Sequence, residues 1–330
     1  MTKTTFCSVI CILLCSSPMV CSESRDPDFH KVFFADSRAG YALGTTNDAA
    51  VVFKTTDGGT TWQNVYQTSV PLNGLYFLKA DTGFVIGGSG TILYTSDAGK
   101  SWTLLKGGMD EDWSAITSDS RGTLFIVGKH AAVIKSLDNG KNWISCHLPG
   151  SVDLTNVASL PSGMLFVLGR DRLFTSSDSG VTWSTHGPYK WDALFGLAFA
   201  SEKAGFLASG LLFQTDNGGD TLKFIPISQS EHVTQVTTMK IGTYVVAGSA
   251  RSGNTVHIPG EKLPSSSMIL LTKDMGKTWR VMVRLNANRS HSAWLEDLFF
   301  LGDNGWAVGA EGTVIITQDG GRHWRHLRVR

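Results

Sequence analysis

The sequence predicts an all-β fold, a seven-bladed β-propeller of four-stranded antiparallel blades. Three observations carry this expectation: a turn motif that recurs along the chain, short β-branched runs in a fixed order around each copy, and a composition rich in glycine and poor in charge.

The motif, or box, reads Ser/Thr-x-Asp-x-Gly-x-x-Trp. It stands at Thr55–Trp62, Thr95–Trp102, Ser136–Trp143, Ser176–Trp183, Thr272–Trp279 and Thr317–Trp324, with a degraded copy at Gln214–Thr221. The box aspartates are Asp57, Asp97, Asp138, Asp178, Asp216, Asp274 and Asp319, in steps of 40, 41, 40, 38, 58 and 45 residues. A period near 40 marks an array of supersecondary units. The chemistry is that of a hairpin turn. The carboxylate accepts from backbone N–H groups just ahead of it, the glycine takes positive φ, and the tryptophan covers the turn with apolar area. The boxes are therefore expected to be structural clasps. Asp97→Ala should lower stability and touch binding only through stability.

Around each box the runs keep one order. In the second unit they are Leu75–Leu78, Gly83–Gly87, Thr91–Thr95 and, after the box, Trp102–Leu105. In the last they are Leu298–Leu301, Gly305–Gly309, Thr313–Thr317 and Trp324–Leu327. Such runs are too short and too apolar for amphipathic helices and read as strands. A four-stranded unit cannot bury both faces alone, and radial packing lets each sheet cover the next. The chain starts on a first strand and ends on a fourth, so ring closure should rest on packing between first and last units, helped by residues 23–29.

The 330 residues include 36 glycines, as many tight turns require. Residues 1–22 carry one charge, Lys3, and an apolar core from Phe6 to Leu14 too short to span a bilayer. Small residues at Val20 and Ser22 predict a signal peptide cut before Glu23, leaving residues 23–330 as the propeller. A lipidated Cys21 is the alternative. Cleavage leaves Cys146 as the one cysteine, so no intrachain disulfide is available. Without Lys3 the 29 bases become 28 and match the 28 acids, which does not predict nucleic-acid binding.

The boxes resemble the aspartate-box, or bacterial neuraminidase, repeat. The fuller pattern Gly305-Trp306-Ala307-Val308-Gly309, Gly312-Thr313, Thr317-Gln318-Asp319-Gly320-Gly321 and Trp324 resembles the photosystem II stability and assembly factor family, and the likeness runs from about residue 30 to 330. That resemblance implies a non-catalytic, lumenal or periplasmic protein that helps assemble a membrane protein complex. The expectation for this chain is an exported monomer, periplasmic or extracellular, without cofactor and peripheral to the membrane at most. Its partner would be a protein: a membrane protein complex or an acidic segment of one. The chain departs from the pattern in the fifth box, in its lipid-attachment site and in an insertion, Ser249 to Ser267, between the second and third strands of blade six.

A sialidase-like glycoside hydrolase or a glycan-binding propeller is the alternative. A sialidase needs three arginines, a Tyr–Glu pair and an aspartate acid. Its Arg-Ile-Pro marker is absent, and of the six tyrosines only Tyr189 falls on a loop that could face a substrate. Asp110-Glu111-Asp112 reads as a solvated acidic turn before a general acid/base or cation cluster. His323 and His326 point to opposite faces of a strand. No catalytic, metal or cofactor residue is assigned.

Geometry picks out a binding face. The 1–2 and 3–4 turns share one side with the boxes. The 2–3 loops and inter-blade loops share the other, where a basic, aromatic-rimmed patch is expected: Lys129 and His130, Arg170 and Arg172, Arg251, with Trp113, Trp191 and Trp294. Arginine pairs bidentately with carboxylates, and aromatic residues with arginine dominate binding hot spots. The bland reading is dispersed bases paired with Asp171, Asp192 and Glu231.

Overall fold

The computed structural model describes residues 26–106, 110–190, 194–226, 231–240, 243–250, 256–258, 261–263, 266–286 and 295–329. The leader expected at 1–22 lies outside them, as do Arg251, Trp191 and Trp294.

The described strands form seven four-stranded antiparallel meanders and one separate hairpin. The first sheet is Asp28–Phe34, Gly40–Thr46, Ala49–Thr55 and Gln63–Thr68; the second is Leu72–Phe77, Gly83–Gly87, Thr91–Thr95 and Thr103–Lys106. The third is Trp113–Ser118, Leu124–Gly128, Val133–Ser136 and Ile144–Cys146; the fourth is Leu154–Ser159, Leu165–Gly169, Leu173–Ser176 and Ser184–His186. The fifth is Gly196–Phe199, Gly205–Ala208, Leu212–Thr215 and Lys223–Ile225; the sixth is Glu231–Lys240, Thr243–Ala250, Ser266–Thr272 and Arg280–Asn286. The seventh is Leu295–Leu301, Asn304–Gly309, Thr313–Thr317 and Arg325–Arg328. The first strands of successive sheets touch, and those of the seventh and first sheets touch as well. This is an all-β propeller of four-stranded blades. The insertion in the sixth sheet carries the hairpin, Val256–Ile258 with Glu261–Leu263.

Burial follows the strand order. The second strands Gly83–Gly87, Leu124–Gly128 and Leu165–Gly169 are buried throughout, while the fourth strands Ile144–Cys146, Ser184–His186, Lys223–Ile225 and Arg325–Arg328 are mostly exposed. Each hydrophobic cluster spans two neighbouring sheets: Tyr41, Leu43 and Val52 of the first pack with Leu72, Leu75, Val85 and Leu93 of the second. Neighbouring sheets thus bury faces that neither could bury alone.

Volume is exchanged between the first two strands in six of the seven sheets. Phe34 pairs with Gly40, Phe77 with Gly83, Phe199 with Gly205 and Phe300 with Gly305. In the third and fourth sheets the pairs are instead Ser118 with Leu124 and Ser159 with Leu165. A methyl on Gly205 would lie 2.6 Å from the Phe199 ring. The phenylalanine therefore lies over the glycine, where it stacks on an aromatic ring of the preceding sheet. Phe34 stacks on Trp306, Phe77 on Tyr41 and Phe199 on Phe166, with ring centres 3.7, 3.7 and 3.9 Å apart. A large residue at both cross-strand positions would overpack the layer.

Each full box binds as one unit. Thr95 Oγ1 donates to Asp97 Oδ1 at 2.9 Å and accepts from Gly99 N at 2.8 Å; Ser101 donates to the carboxylate through N and Oγ at 2.9 and 2.6 Å. Thr61, Asn142, Thr182, Thr278 and His323 repeat the Ser101 role. Hydrogen bonds from Ser101, Asn142 and Thr278 hold the pKa values of Asp97, Asp138 and Asp274 at about 2, and those of Asp178 and Asp319 are pushed below that by Thr182 and His323.

The box glycine also faces the preceding sheet. Gly59 sits against Trp306, Gly99 against Tyr41, Gly180 against Phe125 and Gly276 against Phe206. The boxes therefore join sheets as well as turning strands.

The fifth box corrects the expected register. Thr215 Oγ1 donates to Asn217 Oδ1 at 3.0 Å, Gly219 N donates to Thr215 at 2.9 Å, and Thr221 N donates to Asn217 at 3.0 Å. Asn217, not Asp216, takes the carboxylate's place, and Leu222 takes the tryptophan's.

The first and seventh sheets are joined by polar bonds as well as packing. Val32 N donates to the buried Asp297 at 2.9 Å, Trp306 Nε1 to Gly58 O at 2.9 Å, Gly312 N to Pro27 O at 2.6 Å and Glu311 N to Asp28 Oδ1 at 2.8 Å. Residues 26–28 thus clasp the last sheet.

Candidate partner-binding face

Opposite the boxes, tight two-residue turns join the second and third strands. Asn47-Asp48, Ser89-Gly90, His130-Ala131 and Glu311-Gly312 have positive φ at both positions, the turn whose twist suits a hairpin. His130 and Ala131, at 54° and 58°, adopt it without a glycine, at a cost of about 1 kcal/mol per residue. The flanking loops hold this turn in place. Lys129 N donates to Asp112 O at 3.1 Å, His130 N to Asp153 Oδ1 at 3.2 Å and Ala131 N to Val152 O at 2.8 Å.

The bases expected on this face are placed on adjacent turns of the third and fourth sheets, and three of the four meet carboxylates. Lys129 Nζ lies 2.7 Å from Asp112, His130 Nδ1 lies 3.0 Å from Glu111, and Arg172 forks onto Asp171 at 2.8 and 2.9 Å. The Glu111 contact raises the His130 pKa, and the Lys129 contact lowers that of Asp112. Glu111 and Asp112 of the acidic turn are thus engaged as ion-pair partners. This part of the face is a charge-paired rim rather than a bare basic patch. Arg170 differs: it is exposed and its guanidinium meets no carboxylate among the described residues. Its backbone is fixed, N donating to Asp153 O at 3.2 Å and O accepting from Leu194 N at 2.9 Å. An open cavity of about 570 Å³ lies beside it, lined by Gly150, Ser151, Val152, Arg170, Asp171 and Arg172.

Trp113 does not join the rim. It begins the innermost strand of the third sheet and is 0 % exposed. A methyl on Gly128 would lie 2.9 Å from its ring, so the glycine makes the room that the indole fills. Tyr189 is likewise drawn inward: its hydroxyl donates to Gly219 O at 2.6 Å and burial raises its pKa.

One constellation escaped the sequence reading. Thr175 Oγ1 lies 3.0 Å from His186 Nε2, and His186 Nδ1 lies 2.7 Å from Asp220 Oδ1. The order hydroxyl, imidazole, carboxylate is that of a nucleophilic relay. Thr175 is only 6 % exposed within a strand, so no substrate carbonyl reaches it. The group ties the fourth sheet to the degraded fifth box. The adjacent Gly218-Gly219-Asp220, read as part of that box, was the available signal.

The sequence matches the family described as Photosynthesis system II assembly factor YCF48 over residues 23–106 and over 65–187, which together reach half of the chain. The chain belongs to the photosynthesis system II assembly factor family. A search of curated proteins found no match. Among solved structures, one described as YCF48 bound to D1 peptide superposes with a TM-score of 0.68 at 19 % identity, covering 89 % of this chain and 92 % of that one. YCF48 from Cyanidioschyzon merolae gives 0.66 at 17 %, covering 89 % and 96 %. An ancestral GH74 enzyme gives 0.70 at 11 %, covering 92 % of this chain and 46 % of its own. At these identities the likeness establishes a shared fold. This member of the assembly factor family keeps the four-stranded blades and box turns, with Asn217 replacing one carboxylate.

Proposed function

We propose that this chain is a non-catalytic propeller that binds a protein segment and serves the assembly of a membrane protein complex. Family membership carries the reading, and the peptide-bound state of the YCF48 structure supports a peptide-sized partner. The segment would lie on the face opposite the boxes, with Arg170 offering its free guanidinium to a carboxylate at the cavity between the third and fourth sheets. Each of the seven sheets would be one blade of a closed ring, exported with Glu23 at its amino terminus and working as a monomer at the membrane periphery.

The test is capture of partners from the native membrane fraction by purified residues 23–330, compared with a variant carrying Arg170→Ala and Arg172→Ala. The reading expects a membrane-complex subunit, held more weakly and with less salt dependence by the variant at unchanged melting temperature. Equal capture by both would refute the site. No captured subunit would refute the function. Mass spectrometry of the exported protein checks Glu23; an intact Met1 or a lipidated Cys21 would overturn export with cleavage. The likeness to GH74 enzymes, a xyloglucanase among them, keeps glycoside hydrolysis as the second reading, and turnover of xyloglucan or sialosides by the purified chain would favour it.

A further inference from the structure

The box side of the molecule carries a cleft that is filled in two neighbouring places and open in one. In the first and third sheets the residue before the box hydroxyl is a lysine that crosses to the next sheet. Lys54 Nζ donates to Ala98 O at 2.7 Å and sits 5.9 Å from the centre of the Tyr41 ring. Lys135 Nζ donates to Ser179 O at 2.8 Å. The second sheet has Tyr94 at this register: it pairs with Phe84 as Lys54 pairs with Tyr41 and Lys135 with Phe125.

Tyr94 does not cross. Its ring leans on Phe84, centres 5.2 Å apart. Among the described residues its hydroxyl has no hydrogen-bond partner, and no side chain reaches the carbonyl of Asn139, the counterpart of Ala98 and Ser179. A cavity of about 530 Å³ opens there, lined by Leu78, Lys79, Tyr94, Leu105, Asn139 and Lys141 among others. Gly140 lets the third box approach Phe84 and Leu105 closely, which leaves the floor apolar. Lys79 and Lys141 are exposed, stand on the two sheets that form the cleft, and pair with no carboxylate among the described residues.

We propose that this cleft is a second binding site, independent of the face opposite the boxes, for a short protein segment with one bulky apolar side chain flanked by carboxylates. The volume lies in the range of built ligand sites. The apolar side chain would cover Leu78, Tyr94 and Leu105, and the carboxylates would meet Lys79 and Lys141. A backbone N–H of the segment would donate to Asn139 O, supplying what an ammonium supplies in the neighbouring clefts. That donor requirement favours a peptide over a fatty acid, whose carboxylate has no N–H to give. The two lysines repel a basic segment.

The experiment uses purified residues 23–330 and a fluorescein-labelled peptide of one phenylalanine between two pairs of glutamates, read by anisotropy. Saturable binding is expected. It should weaken about tenfold or more when Lys79→Ala and Lys141→Ala are combined, as loss of complementary charge at a binding site does. Tyr94→Lys rebuilds the filled cleft and should abolish binding at unchanged or higher melting temperature. Arg170→Ala should leave binding intact, which separates this site from the other face. No saturation, equal binding of the glutamine version of the peptide, full binding to the Tyr94→Lys protein, or binding of dodecanoate in place of the peptide would each overturn the proposal. If Tyr94→Lys does not fold, site-specific crosslinking from the peptide decides the matter. Attachment at Lys79 or Lys141 supports the site, and attachment elsewhere refutes it.

Discussion

Nδ1 of His186 lies 2.7 Å from Oδ1 of Asp220, and the two residues belong to different sheets. The pair stands beside the one box that carries an amide where six others carry a carboxylate, and Tyr189 adds a bond to Gly219 O in the same place. A weakened turn is thus supported from the neighbouring sheet. His186→Ala is expected to destabilise the protein by about 1 kcal/mol, near the upper end for a pair with an exposed partner. Hydrogen exchange should show the loss of protection centred on residues 217–222. A uniform loss over all sheets would contradict a local tie.

The box hydroxyl should matter more than its small size suggests. Thr95 is 1 % exposed and its Oγ1 holds both Asp97 and the amide of Gly99. Thr95→Val keeps the shape and strands a buried N–H, so a loss of about 1–3 kcal/mol is expected in urea denaturation. Asp97→Ala should lower the melting temperature without changing affinity for a captured partner. Full stability with lost binding would mean that this box is a recognition site.

The box carboxylates also fix the acid limit. Their pKa values are depressed from 3.8, to about 2 for Asp97, Asp138 and Asp274. The unfolded chain therefore takes up protons first as pH falls. The stabilisation is complete above the ordinary aspartate range and is lost as pH drops through the folded-state values. His130 has the opposite sign: its pKa is raised from 6.5 by Glu111, so its contribution is present below that value and fades as pH rises through the folded one. Calorimetry should show a melting temperature falling steeply between about pH 4 and 2. A flat profile through that window would show that the carboxylate bonds do not form in solution.

The exchange of Phe77 and Gly83 for Ser118 and Leu124 makes a double-mutant cycle. Gly83→Leu alone should overpack the layer and cost about 1–3 kcal/mol. Phe77→Ser alone should leave a cavity behind the stack on Tyr41. The pair together copies the third sheet and should cost less than the sum of the single changes. Strict additivity would show that the two positions do not share space.

Much of this layer is visible in the sequence. Glycine stands at or next to the start of the second strand, opposite phenylalanine at or next to the end of the first, at Gly40, Gly83, Gly205 and Gly305, and leucine replaces it at Leu124 and Leu165 where serine stands opposite. The box glycine's neighbours were not legible, because Tyr41 or Phe125 reaches a glycine more than 50 residues away across a sheet boundary. The sequence pattern points to Asp216 as the fifth box aspartate, whereas the two-residue spacing from the Thr215 hydroxyl puts Asn217 in that place. Trp113 reads in the sequence as an inter-blade loop residue, yet a strand begins at that residue and buries it. The pairing of Arg172 with Asp171 needed no long-range information; adjacency alone suggested it.

The box glycines lean on the sheet before them, never on the one after. A polypeptide made from its amino terminus therefore completes each box beside a surface that already exists. The first box is the exception. Gly58 O waits for an indole 248 positions later, that of Trp306. Growth is directional, one sheet setting the stage for the next, and the opening sheet keeps an unmatched flank until the final sheet arrives. A chain cut short anywhere ahead of Trp306 lacks both the ring that stacks on Phe34 and the donor to the Gly58 carbonyl, so one missing side chain leaves the seam without an apolar and a polar contact at once.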